Sequence, residues 1–168
     1  MTKKFFILIA LILLLTACLP ADRLAPPNSA WLDHFDIERS GWTTYTDEDG
    51  SIQYDMDGLR FTIDEPNAIY YSTLDFWYKD VIVKANAAKI DGSDAGNIVG
   101  LICRYQDEEN FYMSAVSTDQ TYAIFKLVDG ERTTISGMIW MPEPSITPGN
   151  GVNHIEMTCD ANIITLKI

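Results

Sequence analysis

The chain has 168 residues, of which 47% are hydrophobic, and its 24 acidic and 12 basic side chains give a formal net charge of −12. Once any leader is removed, this length suits one domain rather than two. The negative charge argues against nucleic acid and against direct binding of anionic lipid headgroups. His34, His154 and the three cysteines do not show the spacing of a zinc site.

The N-terminus predicts a lipoprotein leader. A basic pair precedes the unbroken apolar run Phe5–Leu15, which is too short to span a bilayer and has the length of a signal-peptide core. Leu15-Thr16-Ala17-Cys18 follows and resembles the bacterial lipobox, whose cysteine thiol receives a diacylglycerol before cleavage. The alternative is an ordinary signal peptide that ends in a cysteine. We predict a signal peptide over residues 1–17 and a lipidated Cys18 with a proline-containing tether over residues 18–30.

This leader predicts a protein at the cell membrane, lipid-anchored and facing outside the cytoplasm. Removing it takes the basic count from 12 to 10 against 24 acids, so the mature net charge is about −14. The membrane partner is then the diacylglycerol on Cys18 alone, and two acyl chains suffice as an anchor. Cys103 and Cys159 remain, and an oxidising compartment favours a disulfide between them. The alternative is two buried free thiols.

From Trp42 onward, short alternating segments separated by turn residues predict an all-β, antiparallel β-sandwich over residues 31–168. No helical period of useful length occurs. The predicted strands, in chain order, are one that opens at Ser40-Gly41-Trp42, the hairpin of Ser51–Met56 and Leu59–Ile63 across Asp57-Gly58, Ala68–Ser72, Asp80–Lys89, a central hairpin within Asn97–Ser117, the hairpin of Tyr122–Val128 and Arg132–Ser136 across Asp129-Gly130, and the pair Val152–Cys159 and Ile163–Ile168.

The first arm of the central hairpin has two largely apolar faces, which predicts a strand in the middle of a sheet. Leu101, Cys103 and Tyr105 would share one face, and Gly100, Ile102 and Arg104 the other. An arginine in such a strand needs an acceptor. Arg104 is therefore either the structural partner of a carboxylate or part of a ligand-facing surface.

Several phrases together resemble the concanavalin A-like lectin/glucanase jelly roll, a group that includes laminin-G-like modules and the domain named for 3-keto-disaccharide hydrolases. They are Phe35-Asp36, Ser40-Gly41-Trp42, Asp47-Glu48-Asp49-Gly50, Glu65-Pro66-Asn67, Leu101–Asp107, Asn110-Phe111-Tyr112, and Asn153-His154 followed by Cys159 and Leu166. The resemblance implies two curved antiparallel sheets with one concave face, and a cysteine pair at Cys103 and Cys159. It also implies final strands beyond Ile168, because such domains usually continue past this position through a hairpin to a last strand; the sequence itself stops in mid-strand.

The resemblance implies three possible kinds of chemistry, which are hydrolysis, calcium binding and sugar binding. The glucanase members place catalytic acids as Glu-x-Asp-x-x-Glu on one strand, and this spacing does not occur, so we assign no catalytic residue. Related domains often bind calcium through loop carboxylates, for which Asp47, Asp49, Asp91 and Asp94 are candidates. Asp-Gly turns have the same composition without a metal, and no other cofactor is indicated.

Sugar binding needs aromatic faces with polar groups beside them. We predict Arg104, Tyr112 and Trp140 as ligand-binding residues, since Tyr112 shares its face with Ser114 and Val116, a mixed face that suits a groove wall. The predicted function is a lipid-anchored, extracytoplasmic binding module that is non-catalytic and takes a carbohydrate ligand. The alternatives are a glycoside-acting hydrolase of the 3-keto-disaccharide hydrolase type and a cell-surface structural or protein-interaction domain.

Overall fold

The computed structural model describes residues 30–35, 41–56, 58–66, 68–74, 76, 78–92 and 96–168. Within these ranges the chain is all-β, with twelve strands and no helix, and all strand pairs are antiparallel. It follows that these ranges contain no helix able to cross a membrane. The predicted signal peptide, Cys18 and the tether up to residue 29 lie outside the described residues. The predicted domain boundaries stay predictions.

The strands form three sheets. The first has the order β1-β2-β3, with β1 Tyr45–Thr46, β2 Gly50–Asp55 and β3 Gly58–Ile63. The third has the order β12-β11-β4, with β4 Val81–Ala87, β11 Asn153–Asp160 and β12 Ile163–Lys167. The second has the order β10-β8-β7-β5, with β6 also on β7 and β9 on β8; its strands are β5 Ile98–Val99, β6 Ile102–Asp107, β7 Asn110–Ser117, β8 Thr121–Val128, β9 Glu131–Thr134 and β10 Met141–Pro142.

The chain divides into two compact units, Met1–Trp77 with the first sheet and Tyr78–Ile168 with the other two. In the second unit the two sheets face each other across one hydrophobic core. Its buried members are Leu101, Cys103 and Val116 from the second sheet, Ile155, Met157 and Cys159 from the third, and Ile146 from the segment after β10. This unit is a two-sheet sandwich, as the alternating pattern predicts.

A disulfide between Cys103 and Cys159 crosses this core and joins β6 to β11. The Cα atoms of the two cysteines are 6.6 Å apart. Both side chains are buried among the apolar residues of the two sheets. The predicted disulfide is confirmed, and the alternative of two free thiols is wrong.

β4 shows why alternation predicts faces well in a regular strand. Val81, Val83, Ala85 and Ala87 pack against the core, whereas Ile82, Lys84 and Asn86 are exposed. β4 pairs with β11 without a register shift from Asn153↔Ala87 to Cys159↔Val81, so each side chain keeps its face. The strand predicted over Asp80–Lys89 is confirmed as Val81–Ala87, with one face wetter than the other.

The central hairpin is confirmed, and its connection is two residues, Glu108 and Glu109. β6 continues to Asp107, whose Oδ1 accepts hydrogen bonds of 2.9 Å from the Glu109 N–H and from Asn110 Nδ2. These bonds close the turn locally. Among the described residues β6 pairs only with β7, so the prediction that the first arm lies in the middle of a sheet is wrong. The second arm, β7, has neighbours on both sides.

The predicted faces of β6 are wrong after Cys103, because the register with β7 shifts between Cys103 and Asp107. Arg104 has a φ of 52° at this irregularity. Tyr105 packs against Phe111, with ring centroids 5.9 Å apart, and the Arg104 guanidinium carbon lies 5.9 Å from the centroid of the Tyr112 ring. Cys103 is opposite Tyr112 in the register, and Phe111 and Tyr112 point to opposite faces. Arg104, which lies over Tyr112, is therefore on the same face as Cys103, and Tyr105 is on the other face.

Other predictions differ at the ends of elements. The turn at Asp129-Gly130 is confirmed, with φ of 51° and 74°, the positive values that a two-residue hairpin turn requires. The first predicted strand is reduced to Tyr45–Thr46. The predicted strand Ala68–Ser72, all of which the structure describes, is not a strand. Gly100 and Leu101 separate β5 from β6, and a Cβ at position 100 would overlap the carbonyl oxygen of Ser114.

Candidate functional site

The first unit carries a group of three polar-aromatic side chains, Tyr45, Asp47 and Tyr70, which we call the tyrosine cluster. The Tyr45 hydroxyl donates to Asp47 Oδ2 at 2.6 Å, and the Tyr70 hydroxyl donates to Asp47 Oδ1 at 3.1 Å. The two rings stack, with centroids 5.4 Å apart and an interplanar angle of 26°. One carboxylate therefore holds two phenol rings together across 25 residues of sequence, from Tyr45 to Tyr70.

The chain around β1 positions this cluster. Tyr45 is in β1, and Asp47 follows it in a turn where the Asp49 N–H donates to Asp47 Oδ1 at 2.9 Å and the Asp47 N–H donates to the Gly50 carbonyl at 3.0 Å. Gly50 begins β2 beside Tyr70. A Cβ there would overlap the carbonyl oxygen of Thr62 and lie 3.0 Å from the Tyr70 hydroxyl, so only glycine lets the Tyr70 ring approach this closely.

The electrostatics fix the protonation states of the cluster. The hydrogen bond to the Asp47 carboxylate raises the pKa of Tyr45 well above its ordinary value of 10.0. The hydrogen bond from Tyr45 is also the main cause of the lowered pKa of Asp47. At neutral pH the cluster thus holds neutral phenols and an ionised carboxylate.

The cluster is open to solvent. Tyr45 keeps 44% of its surface exposed, Asp47 is exposed, and Tyr70 is half-buried. An exposed aromatic ring beside an ionised carboxylate can contact the apolar face of a ring-shaped polyol while accepting hydrogen bonds from its hydroxyl groups. The arrangement suits binding of a neutral, hydroxyl-rich ligand.

The structure brings two of the three predicted ligand-binding residues together. Arg104 lies over the ring of Tyr112, donates from its guanidinium to the Ala161 carbonyl at 2.6 Å and pairs with Asp80 Oδ1 at 3.5 Å. Asp80 Oδ1 also accepts the Ala161 N–H at 2.9 Å. Arg104 therefore has the structural carboxylate partner that the sequence left as one of two alternatives, and it ties β6 to the β11–β12 turn.

Trp140 lies on the opposite face of the same sheet. It packs edge-to-face on Phe125 with ring centroids 5.9 Å apart, and Phe125 pairs with Met113, the neighbour of Tyr112 along β7. Adjacent strand residues point to opposite faces, so Tyr112 and Trp140 do not share a surface. The predicted groove wall is also part of the core, because Ser114 and Val116 keep 0% and 2% of their surface exposed.

The calcium candidates do not converge in the described part of the chain, where no group of three or more His, Cys, Asp or Glu side chains is placed to hold a metal ion. Asp47 bonds the two tyrosines, and Asp91 Oδ1 accepts the Gly92 N–H at 2.7 Å. Asp94 lies outside the described residues. The sequence did not single out Tyr45; its one local signal is a position two residues before the acidic Asp47–Gly50 turn.

Comparisons with family models, with curated proteins and with solved structures found no match for this chain. The fold and the geometry of the residues themselves therefore carry the functional argument. Membership of the concanavalin A-like class stays a prediction.

Proposed function

We propose that this chain is a lipid-anchored, extracytoplasmic binding module that takes a carbohydrate at the tyrosine cluster without acting on it chemically. The observation that carries this proposal is the exposed, stacked pair of Tyr45 and Tyr70 held by the Asp47 carboxylate. This combination of aromatic surface and ionised acceptor is the one that sugar recognition needs.

The energetics of such a site favour a preorganised aromatic surface. A pyranose presents an apolar face of C–H groups to a phenol ring and turns its hydroxyl groups to the side, where Asp47 accepts them. Because hydrogen bonds already fix both rings, ordering the site on binding costs little conformational entropy. Hydrogen bonds to an ionised oxygen are roughly twice as strong as those between neutral groups.

The finer fold assignment belongs to the same proposal. We place the sandwich in the concanavalin A-like jelly-roll class, supported by two antiparallel sheets that enclose a single core in the second unit and by the disulfide between them. The anchor is supported by Leu15-Thr16-Ala17-Cys18 after an apolar run. An anchored glycan-binding module with a net charge of about −14 would not use nucleic acid as a ligand.

A glycan array compares the wild type with Tyr45→Ala. Truncating the tyrosine removes the exposed ring of the cluster, and we expect an affinity weaker by about twofold to twelvefold, because an aromatic contact contributes about 0.5–1.5 kcal/mol. Tyr78→Ala is the matched control, since Tyr78 is an exposed tyrosine of the second unit. Wild-type affinity in Tyr45→Ala, or no glycan bound by the wild type, contradicts the proposal.

Intact-mass analysis of the protein extracted from membranes tests the anchor. The wild type should begin at Cys18 and carry the added mass of a diacylglycerol, and it should sediment with membranes. Cys18→Ser removes the thiol that accepts the lipid, so this variant should be found in the soluble fraction. A Cys18→Ser protein that still sediments with membranes would contradict the predicted lipidation.

A further inference from the structure

The exposed face of the third sheet contains a pocket of about 320 Å³, which we call the outer-face pocket. Its polar lining comes from all three strands, because alternation turns every second side chain away from the core. These side chains are Lys84 and Asn86 from β4, His154 and Glu156 from β11, and Lys167 from β12.

Two lysines converge on one glutamate at this pocket. Lys84 Nζ lies 2.7 Å from Glu156 Oε2, and Lys167 Nζ lies 2.8 Å from Glu156 Oε1. Across the strands, Glu156 is opposite both lysines, so the register itself brings the three charges together. The group carries a net charge of +1 in a chain whose total is −12.

The ammonium groups keep hydrogen-bonding capacity beyond Glu156. Each ammonium has three N–H donors, and one contact from each is to Glu156. The two lysine side chains are 67% and 68% exposed. An anion can therefore approach both ammonium groups without displacing a buried group.

The other side of the pocket offers neutral hydrogen-bonding groups. His154 Nδ1 lies 2.6 Å from Asn86 Oδ1, and because that oxygen only accepts, Nδ1 carries the hydrogen. The Nε2 atom of His154 and the amide Nδ2 of Asn86 remain for hydrogen bonds with a hydroxyl group. Apart from the imidazole, no aromatic ring lines this pocket. Recognition here would depend on charge and hydrogen bonds rather than on stacking.

We propose that the outer-face pocket binds a small hydroxylated carboxylate of the uronic acid class. The ligand carboxylate lies between the ammonium groups of Lys84 and Lys167, and its hydroxyl groups reach His154 and Asn86. The pocket shares no residue with the tyrosine cluster, so this inference does not depend on carbohydrate binding there. The carboxylate of Glu156 competes with the ligand for the same two cations.

NMR titration of the ¹⁵N-labelled full chain tests the proposal with three probes: glucuronate, glucose and acetate. At the amides of residues 84–86, 154–156 and 167–168 we expect saturable shifts with glucuronate, weaker binding of acetate, and no shifts with glucose. Lys84→Ala should weaken glucuronate binding about threefold to fivefold, as an exposed ion pair would. Lys79→Ala is the matched control, because Lys79 is an exposed lysine of the same unit that does not line the pocket.

Glu156→Gln gives the sign-specific test. Removing the competing carboxylate leaves both ammonium groups for the ligand, so glucuronate should bind about threefold to fivefold more tightly. A general loss of structure would weaken binding instead, and circular dichroism identifies it; Lys167→Ala then replaces any variant that does not fold.

Three results would overturn the proposal. They are the absence of saturable shifts with glucuronate, equal binding of acetate and glucuronate, and unchanged affinity in both Lys84→Ala and Glu156→Gln.

Discussion

Removal of the disulfide should lower the stability of the protein by a predictable amount. The perturbation is the double replacement Cys103→Ala and Cys159→Ala in a Cys18→Ser background, which prevents exchange with the third thiol. The two cysteines are 56 residues apart in sequence. For a closed loop of that length, the chain-entropy model gives about 4 kcal/mol of stabilisation through the unfolded state. This is a large share of the 5–15 kcal/mol that is typical of a domain.

Urea denaturation followed by tryptophan fluorescence measures this difference. With an m value of about 2 kcal/mol/M, a loss of about 4 kcal/mol lowers the unfolding midpoint by about 2 M urea. Alanine suits both positions because the cysteines are 4% and 0% exposed, and a serine hydroxyl there would be buried without an assured partner. The wild type with a reducing agent provides the control, since it should unfold close to the alanine variant.

Two results would refute the reasoning. The first is a midpoint that does not change when the wild type is reduced. The second is the reaction of both Cys103 and Cys159 with a thiol reagent in the folded, unreduced protein. Either would mean that the two sheets of the second unit are held together by packing alone.

Three further predictions concern single residues. Arg104→Ala should lower the free energy of unfolding by about 1–2 kcal/mol, because an ion pair and a charged hydrogen bond are lost. Arg104→Gly should be less destabilised than Arg104→Ala by about 0.5–1 kcal/mol, because glycine adopts a φ of 52° without strain. Ser114→Ala should cost about 1–3 kcal/mol, because the buried Leu101 N–H loses the hydroxyl that accepts it at 3.1 Å. The two lysines lower the pKa of Glu156 from 4.5 to about 2, so its carboxylate stabilises the fold fully above about pH 4.5 and loses this effect as the pH falls toward 2. Glu156→Gln should therefore have a lower Tm than the wild type at pH 7, and the difference should shrink as the pH falls through about 2.

Each of these predictions has a contrary outcome in urea or thermal unfolding. Greater stability of Arg104→Ala than of Arg104→Gly would mean that the positive φ at this position is not strained. Unchanged stability of Ser114→Ala would mean that water or another group satisfies the Leu101 N–H. A Tm difference between Glu156→Gln and the wild type that does not shrink between pH 7 and pH 2 would show that the two ion pairs do not cause it.

Local patterns predicted much of the fold. Asp129-Gly130 marks a two-residue turn because both positions need positive φ, and residues 81–87 alternate because one side of β4 contacts the core. The Cys103–Cys159 bond could also be predicted, since the predicted leader assigns Cys18 to a lipid and places the domain in an oxidising compartment, which leaves a single possible pairing. These properties depend on a few neighbouring residues or, for the disulfide, on the number of cysteines.

Contacts between distant segments decided the candidate sites, and alternation carries no information about them. The irregular register after Cys103 turns Arg104 toward the Tyr112 ring, and the residue types in that strand do not predict the irregularity. Tyr45 and Tyr70 meet only because Gly50 leaves room for a ring from 20 residues away. The sequence by itself determined the all-β class, the turns and the disulfide, through local backbone preference and cysteine chemistry. Only the tertiary structure decided which side chains share a surface, because that depends on strand register and on the packing of segments far apart in the chain.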